Sequence, residues 1–287
     1  MDPDPLVTAP VALNGSQSVD RALGLLTMVG RHGDRGVTLS GLVEEAGLNK
    51  PTTRRLLLAL IRGGLVEQDG DSRRYYLGEG AYVLGSLASR RFGLLEISRD
   101  SLIRLSKQTQ DTSFLSIRRD THSVCLHREE GSFPIRTHVL QAGMEHPLGC
   151  GAGSLALLSA LRDQEVESIL AANEPILRDR YPMCMPDRLR QDVRETRTRG
   201  FSLNPGLIVA NSWGMGVAVR FPDGRPAGAL SIAAIDSRMQ PPRREEIAAL
   251  LRDEASRIEK KLDRMFGSIA AQAEGSPARR PARRSTR

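Results

Sequence analysis

Apolar residues recur along residues 39–62 with the period of a helix. Leu39, Leu42, Val43 and Ala46 fall at i, i+3, i+4 and i+7, and after a break Leu56, Leu57, Leu60 and Ile61 form a second buried stripe. The break is Gly47, a residue suited to the left-handed conformation that ends a helix. Asn49 offers a side-chain oxygen to cap the next helix, and Pro51 sits in its first turn, where a missing N–H costs nothing. Two short amphipathic helices joined in this way read as a helix-turn-helix. The outer side of the second carries Thr52, Arg55 and Arg62, flanked by Lys50, Thr53 and Arg54, with no acid between Lys50 and Arg62. Hydroxyls and cations at the start of an exposed helix are what a major groove meets. A solvated charged face is the alternative for this helix taken alone.

The flanking pattern decides between them. Ser18 is placed to cap a helix in which Val19, Ala22, Leu23, Leu26 and Val29 share one face, the third wall of a small helical core. Residues 30–36 have loop composition, and Thr38 caps the first helix of the pair. After Gly63 and Gly64, residues 65–68 and 73–77 read as short strands around the turn sequence DGDS. This is a wing, and Arg73 and Arg74 on its edge are placed to meet phosphate or a minor groove. Residues 18–78 therefore make a winged helix-turn-helix.

Residues 79–93 follow as a linker helix, and the pattern then changes character. A helix is expected over 94–108, a hairpin from 112–117 and 123–128, a third strand over 135–140, and a small apolar helix over 151–161. Weaker helical patterns cover 163–172 and 187–200. A strong hairpin joins 216–221 to 227–235 through PDGRP, and a long amphipathic helix over 242–266 opens with acidic residues suited to its dipole. Helices and strands mix without a β-α-β repeat, so residues 94–267 are expected to form an α+β domain with an antiparallel sheet.

Composition adds bounds. Two domains suit 287 residues, and a net charge of +7 with a pI near 9.8 permits a polyanionic partner. Much of that excess sits at the end: residues 275–287 carry five arginines and no acid. With prolines and serines and no apolar face, the tail, residues 268–287, is expected to be disordered, as is the Pro-rich arm, residues 1–17. The three cysteines, Cys125, Cys150 and Cys184, are too far apart and too few for a disulfide framework or zinc site, which suits a reducing cytoplasm. The N-terminus lacks a signal-peptide pattern, and no run approaches the roughly 18 apolar residues of a membrane span. A cytoplasmic protein without membrane partners is expected.

Candidate chemistry is sparse. In GCGAGS, residues 149–154, small residues precede a helix, so the backbone N–H groups of Gly151, Ala152, Gly153 and Ser154 can converge on a carboxylate; a tight turn needs the same residues, and both readings stand. No Lys follows as in a phosphate-binding loop. Trp213, Met215 and Ser231, at the ends of the strong hairpin, are placed to wall a pocket above that helix start. His122, His127, His138 and His146 match no metal spacing, and no cofactor or metal is implied. No catalytic constellation is present. The rival reading, an enzyme with a fused helical domain, would rest on Cys150 beside the helix start, with no assignable base.

Taken together, SVDRALGLL, VTLSGLVEEAGLNKPTTRRLLLALIRGGLVEQ, YYLG, HPLGCGAGSLALLSAL and WGMGVAVRFPDGRPAGALSIAA, in this order and followed by the final helix, resemble the IclR family of bacterial transcription regulators over residues 18–266. The resemblance implies a winged helix-turn-helix, a linker helix and a GAF-like effector domain. It further implies homodimers or homotetramers on a palindromic double-stranded DNA operator, switched by a small organic or aromatic acid. It places the effector against the amides of residues 151–154 and the side chains at Met215, Ser231 and Ala233. Binders of compact acids tend to carry a cysteine and two serines at those three positions. Here only Ser231 has a hydroxyl, which points to a larger or less polar ligand.

Overall fold

The computed structural model describes residues 16–135 and 140–274. The first helix, α1 (Gln17–Arg31), starts two residues earlier than expected. Ser16, not Ser18, precedes it, and its hydroxyl bonds to Asp20 at 2.7 Å instead of capping the backbone. In α2 (Leu39–Ala46), Thr38 Oγ1 accepts from the Gly41 amide at 3.2 Å, and Gly47 closes the helix at φ 61°. In α3 (Lys50–Arg62), Asn49 Oδ1 accepts from the Thr52 amide at 2.9 Å. Both sequence-encoded caps therefore form. Strands β1 (Val66–Gln68) and β2 (Tyr75–Leu77) pair antiparallel, and Val37 bridges to Tyr75. Leu25, Val29, Leu42, Leu57, Leu60 and Val66 lock the three helices and the wing into one core.

The face of α1 is the expected one only in part: Ala22, Leu26 and Val29 pack into the core. Leu25, Met28 and Val29 are buried, whereas Val19 and Leu23 are 58% and 53% exposed. Their spacing matches a helical stripe equally well, so periodicity found the helix and chose the wrong side of part of it.

Helix α4 (Glu79–Phe92) occupies the stretch expected for the linker helix. Its start is fastened to the end of α3 by main chain: the Gly78 amide donates to Leu65 O and the Gly80 amide to Gly64 O, both at 2.9 Å. The contact is close because neither glycine has a side chain. A Cβ on Gly78 or Gly80 would stand 2.4 or 2.8 Å from the Gly64 carbonyl oxygen.

Beyond Gly93, α5 (Leu94–Thr109) leads into β3 (Thr112–Arg119), β4 (His122–Glu129) and β5 (Glu145–Pro147). Then come α6 (Ala152–Ser159), α7 (Asp163–Arg180), α8 (Pro186–Arg199), β6 (Ser202–Pro205), β7 (Ser212–Arg220), β8 (Pro226–Ile235) and α9 (Arg243–Glu274). The strand expected over 135–140 falls largely on 136–139, outside the described residues, as do the arm up to residue 15 and the tail from residue 275. Strand β6 was not anticipated: four residues with a proline carry too little alternation to register.

The sheet has the order β5-β4-β3-β8-β7-β6, with every pair antiparallel. It is an α+β fold in three layers. Leu102 and Leu105 of α5 and Ile247, Leu251, Ile258 and Leu262 of α9 cover one face, against Met215, Val219, Leu230 and Ile232. Leu155, Leu157 and Leu158 of α6 lead the other layer, joined by Leu170 and Leu177 of α7 and Leu189 and Val193 of α8. Near the β3 edge, buried Asp111 accepts from Arg238 Nε and Arg243 Nη2, both at 2.8 Å, which ties the ends of α5 and β8 to the start of α9.

Candidate functional site

Two surfaces follow from these elements. On α3, Lys50, Arg54, Arg55 and Arg62 are exposed, and Thr52 is half-buried. Thr53 corrects the expectation. It is fully buried, and its hydroxyl donates to Asn49 O at 3.1 Å, so it seals the start of the helix and faces no partner. Between the cations, Leu58 is 45% exposed. It lies three residues from Arg55 and four from Arg54, legible on a helical wheel, but it reads as core when apolar residues are only counted.

The wing is shaped by Asp69, whose carboxylate accepts from the Ser72 amide at 2.7 Å and its hydroxyl at 2.5 Å. These bonds hold the Asp69 carboxyl below the ordinary aspartate range. Arg73 is exposed at the tip, with φ 58°. Arg74 differs from the expectation of a free edge cation: its Nη1 donates to Arg35 O at 3.2 Å and Gly36 O at 3.0 Å, which docks the wing on the loop before α2.

The second surface is a small cavity between α6 and the sheet, about 70 Å³, that opens to solvent. Its floor exists because helix and sheet approach unusually closely. A Cβ on Gly216 would stand 2.9 Å from Ala152 O, and one on Gly214 would stand 3.0 Å from the Ala152 Cβ. Gly151 at φ 87° turns the chain into α6 and leaves the first-turn amides of Ala152, Gly153 and Ser154 without helical acceptors. Over Gly153 lie the hydroxyls of Ser231 and Ser116, at 3.1 and 3.5 Å from where its Cβ would be.

Gly151, Ala152, Gly153, Ser154, Trp213, Ser231 and Ala233 all line the cavity. Two of them also have structural roles. The Ser154 hydroxyl accepts from the Gly149 amide at 3.0 Å and donates to Pro147 O at 3.1 Å, so its contribution to a ligand is its backbone. Trp213 lies at the rim, packed also against the core beneath α9, with the Arg244 guanidinium 5.6 Å from its ring. Met215 is a correction: fully buried among Leu230, Ile232 and α9, it belongs to the opposite face of the sheet. Strand alternation explains this, because Gly214 and Gly216 face α6 and the residue between them points away.

Phe114, Ser116, His146, Asn204, Ile208 and Ser212 also line the cavity and went unrecognised. They come from four strands and the loop between β6 and β7, and only the observed strand order, with β3 beside β8, brings them together. His146 is buried, with Nδ1 3.2 Å from the Tyr181 hydroxyl. None of the described lining residues is cationic, so a bound carboxylate would meet hydroxyls and the positive end of α6.

Cys150 also lines the cavity but is not a nucleophile in waiting. It is 1% exposed, and a hydrogen bond with Cys184 together with burial pushes its thiol well above the ordinary thiol range. Among the described residues, no group of three or more His, Cys, Asp or Glu is placed to hold a metal ion, and no helix is long and apolar enough to cross a membrane.

Residues 18–70 match the IclR helix-turn-helix domain, and residues 87–260, more than half the chain, match the bacterial transcriptional regulator IclR C-terminal family. The chain belongs to the IclR family. Its relatives are named as regulators and not as enzymes, which sets aside the Cys150 reading. The probable HTH-type transcriptional regulator ArcR of Halobacterium salinarum is 27% identical over 86% of this chain and 94% of its own. Transcriptional repressor IclR of Escherichia coli is 25% identical over 86% and 90%. Among solved structures, a putative IclR regulator from a Silicibacter species superposes with a TM-score of 0.68 at 28% identity, covering 85% of this chain and 96% of that one. An IclR homologue from Microbacterium hydrocarbonoxydans complexed with 4-hydroxybenzoate shares the fold, with a TM-score of 0.68 at 22% identity over 85% and 98%. The chain is thus a DNA-binding regulator of this family with an effector-type second domain.

Proposed function

We propose that this regulator binds a roughly palindromic operator in the cytoplasm as a homodimer or homotetramer, and that a small organic acid, aromatic acids included, switches it by entering the α6 cavity. The working units are the winged helix-turn-helix (residues 18–78), the linker helix (79–93) and the effector domain (94–267). One pairing of features carries the reading: an acid-free, cationic α3 face and, in the same chain, a cavity lined by the first-turn amides of α6.

Lys50, Arg54 and Arg73 are assigned to the phosphate backbone, and Thr52 and Arg55 to base edges. Leu58 adds an apolar contact of the kind a thymine methyl accepts. Arg74 supports the wing from behind. Thr53 and Met215 are withdrawn from the two sites. Exposed apolar side chains are available for assembly: Val19 and Leu23 of α1 and Tyr82, Val83, Leu84 and Leu87 of α4 are each at least 47% exposed.

The ligand assignment draws on the cavity's composition. Phe114, Ile208, Trp213 and Ala233 supply apolar wall, and Ser116, Ser231 and His146 supply a few polar groups. A ring bearing a carboxylate suits this better than a two-carbon acid. That a structural neighbour was crystallised with 4-hydroxybenzoate supports the same class.

The test has two arms. Selection of bound duplexes from a random pool should enrich a two-fold symmetric sequence, and Arg55→Ala should weaken its binding by about 1–3 kcal/mol and relax specificity at one position. Enrichment of an unsymmetrical half-site would refute the dimeric reading. A thermal-shift screen of benzoates against glyoxylate and pyruvate should show stabilisation by an aromatic acid. Response to none of them, or to the compact acids alone, would refute the ligand class.

A further inference from the structure

Far apart in the chain, Cys150 and Cys184 meet in the core built by α6, α7 and α8. Two segments run side by side there: residues 146–150, which lead from β5 into α6, and residues 181–184, the turn that joins α7 to α8. At one end of this pairing His146 Nδ1 lies 3.2 Å from the Tyr181 hydroxyl. At the other the Cys150 and Cys184 thiols are hydrogen-bonded to each other. Each cysteine is 1% exposed. Main-chain bonds fix both turns: the Cys150 amide donates to Pro147 O at 3.0 Å and the Cys184 amide to Tyr181 O at 2.8 Å.

The two thiols have different surroundings. Cys150 forms part of the cavity wall, and Cys184 stands behind it. The S–H of Cys150 donates to the Cys184 sulfur, which holds the Cys184 thiol below the ordinary range while Cys150 keeps its proton. Cys150 also sits between two left-handed residues, Gly149 at φ 101° and Gly151 at φ 87°. Around Gly151 there is open space, with nothing within 4 Å of where a Cβ would stand. The backbone on the cavity side of Cys150 is therefore free to turn. Cys125, on β4, belongs to neither segment.

We propose that Cys150 and Cys184 form a reversible disulfide when a small peroxide enters the effector cavity, and that this bond loosens the cavity's hold on the effector. The second half rests on the effector reading above. Cys184 first gives its proton to solvent, and its thiolate attacks one peroxide oxygen. The O–O bond breaks, and the departing hydroxide takes the Cys150 proton and leaves as water. The Cys150 thiolate then attacks the sulfur of the Cys184 sulfenic acid. An S–S bond forms, the S–O bond breaks, and the second hydroxide recovers the proton that Cys184 gave up. Two thiols have lost two electrons, and one hydrogen peroxide has become two waters. Size favours this oxidant: a cavity of about 70 Å³ holds several waters, and hydrogen peroxide is little larger than one. A disulfide is only about 2.05 Å long, so Cys150 is drawn towards the α7–α8 turn. Gly151 turns with it, and the amides of Ala152, Gly153 and Ser154 lose their aim. Transient, redox-sensing disulfides of this kind are the ones a reducing cytoplasm permits.

The experiment treats the full native chain with hydrogen peroxide, quenches with acid, alkylates the remaining thiols after unfolding and digests with trypsin. Peptides 137–162 and 181–188, which carry Cys150 and Cys184, should be recovered linked, with the intact mass lower by two hydrogens. Dithiothreitol should restore both thiols. With 4-hydroxybenzoate as the cavity probe, saturation should slow the oxidation. The oxidised chain should bind that probe about 2- to 30-fold more weakly than the reduced one, the range expected when an anion loses its contact with a helix N-terminus. Cys125→Ala, which leaves the pair intact, should behave as the unaltered chain does.

Oxidation that leaves Cys150 and Cys184 unlinked, or that links either of them to Cys125, overturns the disulfide. A link that dithiothreitol does not undo in the native chain overturns its reversibility. A disulfide that forms equally fast with the probe bound, or that leaves the probe's affinity unchanged, overturns its coupling to the cavity. If 4-hydroxybenzoate fails to bind even the reduced chain, the aromatic-acid reading is what falls, and the peptide map decides the disulfide by itself.

Discussion

Thr52 and Thr53 are adjacent hydroxyls at the start of α3, and the fold gives them opposite work. Thr53 is fully buried, and its hydroxyl donates to Asn49 O at 3.1 Å. Thr53→Val keeps the volume and removes that bond. Asn49 O keeps a partner in the Thr53 amide at 3.0 Å, so no acceptor is orphaned and the cost is that of one neutral hydrogen bond, about 0.5–1.5 kcal/mol. For a unit of roughly 60 residues this is a melting-point drop of about 2–12 °C, since 1 kcal/mol moves such a domain by roughly 4–8 °C. Affinity of the remaining folded protein, and its ranking of operator variants, should not change. Thr52→Val should do the reverse: little effect on melting, because Asn49 caps through the Thr52 amide and not its side chain, and altered preference at one operator position. Differential scanning calorimetry with competition binding over single-base operator variants separates the two. If Thr53→Val changed base preference with an unaltered melting point, the burial argument would be wrong.

Three further outcomes follow from the same geometry. Ala233→Leu, which adds bulk to the cavity wall, should abolish stabilisation by the acid found in the screen while apo operator binding persists; an undiminished thermal shift would place the ligand elsewhere. Burial lowers the His122 pKa in the folded chain, so the unfolded state binds the proton more readily, and stability is lost as pH falls below about 6.5. His122→Asn should flatten that part of the profile measured by urea unfolding, and an identical pH dependence would rule His122 out. Cys125, whose thiol burial pushes up to about 12, and the buried pair Cys150 and Cys184 should resist a bulky thiol reagent until the chain unfolds. Rapid labelling of Cys150 in the native protein would contradict its packing.

Local signals in the sequence were mostly accurate, the expected Ser18 cap excepted. Asn49 and Thr38 as caps, Gly47 as a stop and the DGDS turn all operate within a few residues, and each is where the pattern placed it. What failed depended on which way a side chain faces. Thr53 and Met215 are one residue from true surface and cavity positions, and a step of one residue turns a side chain by about 100° on a helix and to the other face of a strand. The cavity was half legible: GCGAGS marked its helix, but His146, Ser116 and Asn204 are joined to it only by strand order, which nothing in β6 or β5 announced.

The glycine seam between the end of α3 and the start of α4 makes the reading head and the linker one stiff lever. Main-chain bonds at Gly78 and Gly80 leave no side chain to yield, so a bend introduced at Gly93 is not absorbed at the DNA end. A lever about 21 Å long that swings by about 10° moves its tip about 3.6 Å, close to the 3.4 Å rise between base pairs. In a two-fold assembly the paired tips shift by twice that. If the regulator binds the palindromic operator proposed above, a tilt of this size at one glycine changes the half-site spacing it fits by about two base pairs, enough to turn a matched operator into a mismatched one without unfolding anything.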